Sequence, residues 1–279
     1  IRRKDGIVVL TGDIDSGKTT LCRTVLERLD MKRFTSLLLN PFLSVEEMLC
    51  EILLDFGVVS RETVRSGRVV SASRHELVSA LHEFLVSLIP LGGSGVLIVD
   101  EAQHLSPDVL EELRVLSKLE AKDSPLLQIV LVGQASLLHV LGSKDVRELD
   151  QRVSVRATLT PLTRPEVDAY IGHRLSIAHG SSSISFDGAA VEAVFEGTAG
   201  VPRAINLLCD RSLTIGAGFG LRTITADVVT EAAKALGLRA LRRHPRAGND
   251  HFWRWVALAA ALIALIAALF LFAPPSNPL

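Results

Sequence analysis

The chain has 279 residues, of which 48% are hydrophobic, and a formal net charge of −1. This composition excludes a disordered chain and leaves room for one large or two modest domains, while the near-zero charge provides no overall basic field for nucleic acid. Its three cysteines are far apart in sequence, which argues against a disulfide framework and a cysteine-rich zinc site.

A glycine-rich turn lies between a predicted strand at residues 6–11 and a predicted helix at residues 19–29, whose apolar face is Leu21, Val25, Leu26 and Leu29. The turn reads G-x-x-x-x-G-K-[ST], the pattern of a phosphate-binding P-loop, although an incidental turn is the alternative. Such a loop directs backbone N–H groups at phosphate oxygens, while its lysine contacts the outer phosphates and its hydroxyl binds Mg²⁺. We therefore predict a site for ATP and Mg²⁺ formed by Gly12, Asp13, Ile14, Asp15, Ser16, Gly17, Lys18, Thr19 and Thr20.

The next predicted elements are a strand at residues 35–39, a helix capped by Ser44 and ending near residue 56, and a helix at residues 74–89. An unbroken apolar run at residues 95–99 then favours a strand buried on both faces of a parallel sheet.

Two acidic residues, Asp100 and Glu101, end this apolar strand, at the position where α/β sheets bind ligands. We predict that Asp100 binds Mg²⁺ together with Thr19, and that Glu101 orients and polarises the attacking water. The alternative is that Asp100 only caps the following helix, but Ser106-Pro107 provides a better helix start.

The rest of the core is predicted to contain a helix at residues 107–119 and strands at residues 126–132 and 153–159. No strand is predicted after residue 161. Four predicted helices follow at 164–178, 186–199, 201–216 and 224–236, which together form a small helical domain.

The C-terminal part changes abruptly in composition. Residues 238–251 form a basic linker, and residues 256–273 contain no charged or polar side chain, which favours a transmembrane helix over a buried core helix. Trp253 and Trp255 would anchor this helix at the membrane interface. Because the arginines precede the span, we expect residues 1–251 in the cytoplasm and residues 274–279 on the far side of the inner membrane.

The chain starts at Ile1 and shows no signal peptide, so we expect it to be part of a longer protein.

These motifs together resemble the AAA+ ATPases of the ExeA or GspA general secretion pathway type. The resemblance is carried by Thr11 to Thr20, Asn40-Pro41-Phe42-Leu43, Val99-Asp100-Glu101-Ala102-Gln103, Leu126 to Gln134, Leu159-Thr160-Pro161-Leu162, Tyr170-Ile171-Gly172-His173-Arg174-Leu175 and Gly200-Val201-Pro202-Arg203. It implies an α/β fold in which a three-layer parallel-sheet P-loop core is followed by a C-terminal α-helical lid and a single transmembrane helix. The expected boundaries are 1–160 for the core, 161–237 for the lid, 238–251 for the linker, 252–273 for the span and 274–279 for the start of the extracytoplasmic segment.

The resemblance also implies roles for three polar residues. Gln134 would be the sensor 1 residue that contacts the γ-phosphate or the water, rather than a simple turn residue. Arg152 would be an arginine finger for a neighbouring subunit, with Arg147 as the second candidate and a surface salt bridge as the alternative. Arg203 would be the sensor 2 arginine of the lid, rather than a structural arginine.

The chain departs from the family at three positions. Lys118 replaces an asparagine, so a role for that position in switching the catalytic glutamate is not carried over, and Ala135-Ser136 replaces a Pro-Glu pair. A peptidoglycan-binding domain, which the ExeA type carries beyond the membrane, is not visible in this sequence.

The sequence therefore predicts a membrane-anchored, homo-oligomeric ATPase that works with an envelope protein partner in secretion or cell-wall assembly. Two other hypotheses stay open at this stage. One is an ATP-dependent DNA-binding regulator of the transposition-helper type, and the other is a scaffold that binds nucleotide without hydrolysing it.

Overall fold

The computed structural model of this chain describes residues 6–29, 33–62, 72–121, 124–179 and 184–238. Within these ranges the strands are β1 (Ile7–Gly12), β2 (Arg33–Leu38), β3 (Ser94–Val99), β4 (Glu120–Ala121), β5 (Ser124–Pro125), β6 (Leu127–Gly133), β7 (Val153–Leu159), β8 (Ser185–Phe186) and β9 (Thr223–Ile224). The helices are α1 (Lys18–Glu27), α2 (Val45–Asp55), α3 (Arg74–Ser87), α4 (Pro107–Leu116), α5 (Ser136–Leu141), α6 (Arg147–Gln151), α7 (Arg164–His179), α8 (Gly188–Thr198), α9 (Pro202–Gly218) and α10 (Ala226–Ala235). Short 3-10 helices lie at Ile89–Leu91, Ala102–His104 and Lys144–Val146.

The five long strands form one parallel sheet in the order β2-β3-β6-β1-β7. The P-loop strand β1 therefore lies between β6 and β7, and β3 lies beside β6. In a parallel sheet the carboxyl ends of all strands meet at one edge, so the residues that follow β1, β3 and β6 are brought close together. The predicted parallel α/β core is confirmed.

Alternate residues of the sheet face two different apolar layers, because side chains alternate between the two faces of a strand. Leu97 and Val99 of β3 face the layer that contains α2 to α6. Val96 and Ile98 of the same strand face the layer that contains Cys22 of α1. Helices thus cover both faces, which explains why β3 is apolar without interruption.

The predicted apolar face of α1 is partly wrong. Cys22 is the buried apolar residue of this helix, whereas Leu21 is 38% exposed. Because α1 packs on the sheet through Cys22, the preceding residue is rotated by about 100° away from the sheet. Leu26 and Leu29 pack against the same layer, as the sequence predicts.

Three serines start helices of the core by bonding backbone N–H groups of the first turn. Ser44 and Ser73 form capping boxes with Glu47 and Glu76. The Ser106 hydroxyl accepts a hydrogen bond from the Val109 N–H at 3.3 Å, so the helix after β3 has its own cap and does not need Asp100 for that purpose.

The helices after residue 162 enclose an apolar cluster of their own, built around Val167, Val194, Leu208 and Val229. We call this part the lid. The prediction that strands are absent here is wrong, because β8 and β9 pair in parallel. These two-residue strands satisfy backbone groups of the segments that lead into α8 and α10, as in the bond from Asp187 N–H to the Ile224 carbonyl at 3.1 Å.

No helix within the described ranges is long and apolar enough to cross a membrane. The predicted linker beyond Leu238, the predicted span at residues 252–273 and the segment at residues 274–279 lie outside those ranges.

Candidate functional site

The predicted P-loop connects the end of β1 to the first turn of α1. Asp15 and Gly17 have left-handed backbone conformations, with φ values of 63° and 91°. No side chain caps α1, so the N–H groups of its first turn are left for a ligand and the helix dipole favours an anion there. The Ser16 hydroxyl is buried and bonds none of the described residues, so it is an unsatisfied group that a phosphate oxygen would fit.

Lys18 is buried at the start of α1, with 6% of its surface exposed. Its Nζ donates to the Gly12 carbonyl at 3.0 Å and to the Asp13 carbonyl at 2.7 Å. The ammonium group is therefore held over the loop by two neutral carbonyls, and an anionic phosphate is a stronger acceptor than either of them. Lys18 is in the position that the motif predicts.

The P-loop is joined to the end of β3 by the hydroxyl of Thr19, which donates to Oδ2 of Asp100 at 2.5 Å. Asp100 is buried, and its Oδ1 accepts the Glu101 N–H at 2.9 Å. A hydroxyl and a carboxylate in contact form a pair of hard oxygen ligands, which fits Mg²⁺. Burial raises the pKa of the nearby Cys22 thiol to about 11, and the Asp100 carboxylate adds to this shift. The thiol is therefore protonated at neutral pH.

A glutamine that the sequence analysis did not single out connects Glu101 to the end of β6. The Gln103 amide Nε2 donates to Oε2 of Glu101 at 2.5 Å, and its Oε1 accepts the Gln134 N–H at 3.1 Å. Gln134 is thus tied to the site through its backbone. The signal that could have identified Gln103 is its position two residues after Glu101, in the segment that follows β3, because β3 neighbours the strand that leads to Gln134.

The lid contacts the P-loop through the first turn of α9. Arg203 forms an ion pair with Asp15, with a distance of 2.9 Å from its guanidinium nitrogen to Oδ1. Pro202 lies over Gly17, close enough that a β-carbon there would be 3.9 Å from the proline ring. The structure therefore brings Arg203 to the loop, where the sequence predicts it.

Arg152 is at the opposite end of the sheet from the P-loop. It precedes β7, whose first residue pairs with Ile7, whereas Leu159 at the other end of β7 pairs with Gly12. Its guanidinium donates to the Ser117 carbonyl at 3.2 Å and lies 3.8 Å from Glu120. The six residues between Arg152 and Leu159 correspond to roughly 20 Å of strand, so Arg152 does not contribute to the site of its own chain.

The structure thus gathers most of the predicted residues at the carboxyl edge of the sheet. Those brought together by the contacts above are Gly12, Asp13, Asp15, Gly17, Lys18, Thr19, Asp100, Glu101, Gln134 and Arg203. Ile14 and Thr20 are exposed on the surface beside them, and Arg152 is remote.

Comparisons with known proteins give the family of this chain. Residues 1–141 match the family described as "AAA domain". General secretion pathway protein A of Aeromonas hydrophila is 34% identical over 262 residues, covering 92% of this chain and 45% of the relative. The chain therefore spans about half the length of the curated relative it matches.

Solved structures share the fold at lower identity. The ORC2 protein of Aeropyrum pernix, in ADPNP-ADP complexes, superposes with a TM-score of 0.62 at 15% identity, covering 82% of this chain and 62% of that chain. The RuvB Holliday junction branch migration motor of Thermotoga maritima gives 0.57 at 20% identity, covering 92% of this chain and 74% of that one. The chain belongs to the AAA domain family and carries a P-loop, and it is similar to general secretion pathway protein A, as its motifs predict.

Proposed function

We propose that this chain hydrolyses MgATP with the P-loop, Asp100 and Glu101 as the working groups. The observation that carries the proposal is the Thr19–Asp100 hydrogen bond, which joins the P-loop to the end of β3 beside Glu101. Lys18 binds the outer phosphates, while Thr19 and Asp100 hold Mg²⁺, which neutralises phosphate charge when bound. Glu101 orients and polarises the attacking water.

Three further residues complete the proposed cycle. Gln134 contacts the γ-phosphate or the water from the end of β6, and Arg203 contacts the γ-phosphate from the lid, which couples hydrolysis to lid movement. Arg152 reaches the nucleotide of a neighbouring copy, so the active form is a homo-oligomer. The distance between Arg152 and the P-loop of its own chain supports this arrangement in trans.

The proposed setting is the cytoplasmic face of the inner membrane, with residues 252–273 as a single anchor. The apolar sequence of that segment and the similarity to general secretion pathway protein A support an envelope role with a protein partner. Carbonate extraction of membranes that contain the full chain tests the anchor, because an anchored chain stays in the membrane pellet.

The test of the chemistry compares ATP turnover by the full chain with that of the Glu101→Gln variant. The variant keeps the size of the side chain but loses the carboxylate, so kcat falls about 10²- to 10⁴-fold while ATP still binds. Glu27→Gln, which changes an exposed carboxylate on the far end of α1, serves as the matched control and keeps full activity. Equal turnover by the wild type and Glu101→Gln would contradict the proposal. ATP binding without turnover by the wild type would favour the scaffold, and salt-sensitive DNA binding would favour the DNA-binding regulator.

A further inference from the structure

Both polar atoms of the Gln103 side-chain amide have a hydrogen-bond partner, and these partners fix its orientation. A backbone N–H can only donate and a carboxylate can only accept, so Oε1 faces Gln134 N–H and Nε2 faces Glu101. Gln103 belongs to the 3-10 helix after β3, and β3 pairs with β6 up to Val99 and Leu131. Its amide therefore bridges the ends of two neighbouring strands.

The bridge depends on a close approach to the backbone at Gly133. A β-carbon at this position would lie 2.5 Å from Oε1 of Gln103, nearer than non-bonded atoms approach. The residue that ends β6 must therefore lack a side chain if the amide is to bond Gln134 N–H. Gly133 is part of the arrangement that holds Gln103 in place.

Glu101 needs such a support because its backbone is not in a regular conformation. Its φ of 50° is left-handed, which costs a residue with a side chain of the order of 1 kcal/mol. The Gln103 amide bonds only Oε2, and none of the described residues bonds Oε1. One carboxylate oxygen is thus fixed while the other is free to meet a water.

We infer that Gln103 is the positioning residue for Glu101, holding its carboxylate in register with the end of β6 through the amide bridge to Gln134. The inference rests on the proposed role of Glu101 in orienting the water. A neutral amide fixes the carboxylate without cancelling its charge, so Glu101 keeps its ability to polarise water. The same bridge links Glu101 to the backbone of the residue proposed to contact the γ-phosphate.

The first test uses Gln103→Leu, which keeps the volume of the side chain and removes both hydrogen bonds. We expect kcat for ATP to fall about 10- to 100-fold, because a small displacement of a catalytic group has an effect of this size. The KM and the ATP affinity stay within twofold, because the two hydrogen bonds of the Gln103 amide go to Glu101 and Gln134 and to no P-loop residue. Gly133→Ala, which pushes the amide away from Gln134 N–H, lowers kcat in the same direction.

The second test is the variant Gln103→Glu, measured at neutral pH. Its new carboxylate still accepts Gln134 N–H but repels the Glu101 carboxylate, so kcat falls at least as far as in Gln103→Leu while the KM for ATP stays within twofold. A loss of folding stability without this difference between kcat and KM would mean that Gln103 only supports the fold.

Three results would overturn the inference. Turnover by Gln103→Leu within twofold of the wild type would show that the bridge has no effect on hydrolysis. Faster turnover would show that the bond to Gln103 inhibits Glu101. An undiminished loss when Gln103→Leu is added to Glu101→Gln would show that Gln103 does not act through Glu101. Full activity of Glu101→Gln alone would instead contradict the proposed function, so the two failures are distinguishable.

Discussion

The core and the lid contribute to the nucleotide site in different ways. In the core, Lys18 and Asp100 are both buried. Lys18 donates to carbonyls of the P-loop, and Asp100 accepts the Thr19 hydroxyl. In the lid, Arg203 is 77% exposed and contacts Asp15 through an ion pair at the surface. Such exposed pairs are worth about 0–1 kcal/mol, so a phosphate can replace Asp15 at little cost. The fold thus holds Lys18 and Asp100 in place and leaves the lid contact exchangeable.

The largest expected effect tests whether the core of one chain is sufficient for ATP hydrolysis or needs Arg152 of a neighbouring copy. Arg152→Ala should lower kcat about 10³-fold with little change in ATP affinity, because the proposed arginine finger would stabilise charge that develops during phosphoryl transfer at a neighbouring site. Steady-state ATPase kinetics at a concentration that supports oligomers measures this effect. The change is expected to have little effect on the fold, because the Arg152 side chain is 35% exposed and makes one hydrogen bond, to the Ser117 carbonyl, and one long ion pair, with Glu120.

Two controls accompany Arg152→Ala. Arg147→Ala should keep full activity. Arg147 is the second candidate for the finger because it is exposed and forms no ion pair within the described part of the chain. A mixture of Arg152→Ala and Glu101→Gln, each inactive alone, should regain part of the activity, because mixed oligomers contain interfaces with one intact finger and one intact site. Loss of activity in Arg147→Ala instead would assign the finger to Arg147.

The second prediction concerns the turn that leads into α9. Gly200 has a φ of 77°, and a β-carbon there would lie 2.0 Å from the Leu162 carbonyl oxygen. Gly200→Ala should therefore lower the free energy of unfolding by about 2–4 kcal/mol and displace Arg203 from the P-loop. Thermal unfolding followed by circular dichroism measures the loss.

Gly57→Ala is the matched control for Gly200→Ala. Gly57 has nearly the same φ, 75°, but a β-carbon there would meet nothing within 4 Å. It should cost only the backbone strain of about 1 kcal/mol. Equal losses of unfolding free energy for the two variants would show that the close contact with the Leu162 carbonyl does not add to the cost of Gly200→Ala.

Most of the core could be predicted from sequence because its signals are local. The β-branched run before Gly12, the apolar run before Asp100 and the caps at Ser44 and Ser106 each specify an element within a few residues. The outward position of Leu21 could not be predicted, because it depends on which side of α1 meets the sheet.

The lid contact and the Gln103 bridge lie beyond what local signals provide. The strand order brings Gln103 beside Gly133 and Gln134, which are about 30 residues away in sequence. The pairing of Arg203 with Asp15 joins residues that are separated by most of the described chain. A motif can assign a role to Arg203, but the residue with which Arg203 pairs depends on how the lid packs against the core.

The third prediction tests the exchangeable contact directly. Asp15→Asn removes the negative charge but tolerates the left-handed backbone, so stability should change by less than about 0.5 kcal/mol. ATP affinity should rise about two- to fivefold, because Asp15 no longer competes with phosphate for Arg203. Arg203→Ala should lower it by a similar factor, and isothermal titration calorimetry measures both.

The double variant Asp15→Asn with Arg203→Ala distinguishes competition from independent effects. If the two residues compete through their ion pair, the gain from Asp15→Asn should be smaller when Arg203 is absent. The gain should also shrink at high salt, because exposed charges are screened. Additive effects at every salt concentration would contradict an exchangeable pair.

The smallest expected effect comes from an ion pair of the opposite kind within the core. Glu112 of α4 is fully buried and pairs with Arg74 of α3, whose side chain is half-exposed. Burial raises the pKa of Glu112 above its ordinary value of 4.5, although Arg74 acts in the other direction. The folded state therefore binds this proton more readily than the unfolded chain, and its contribution to stability is lost as the pH rises from about 4.5 through the raised pKa.

Glu112→Gln should thus become more stable relative to the wild type as the pH rises from below 4.5 toward neutrality, by less than about 1.4 kcal/mol per pH unit. The neighbouring Glu111→Gln is the control of opposite sign, since hydrogen bonding to Arg114 lowers the pKa of Glu111. Its stability relative to the wild type should instead rise as the pH falls through that lowered pKa. Urea unfolding at a series of pH values measures both slopes. Parallel slopes for the two variants would mean that the attraction to Arg74 outweighs the burial of Glu112 and lowers its pKa, which would contradict the prediction.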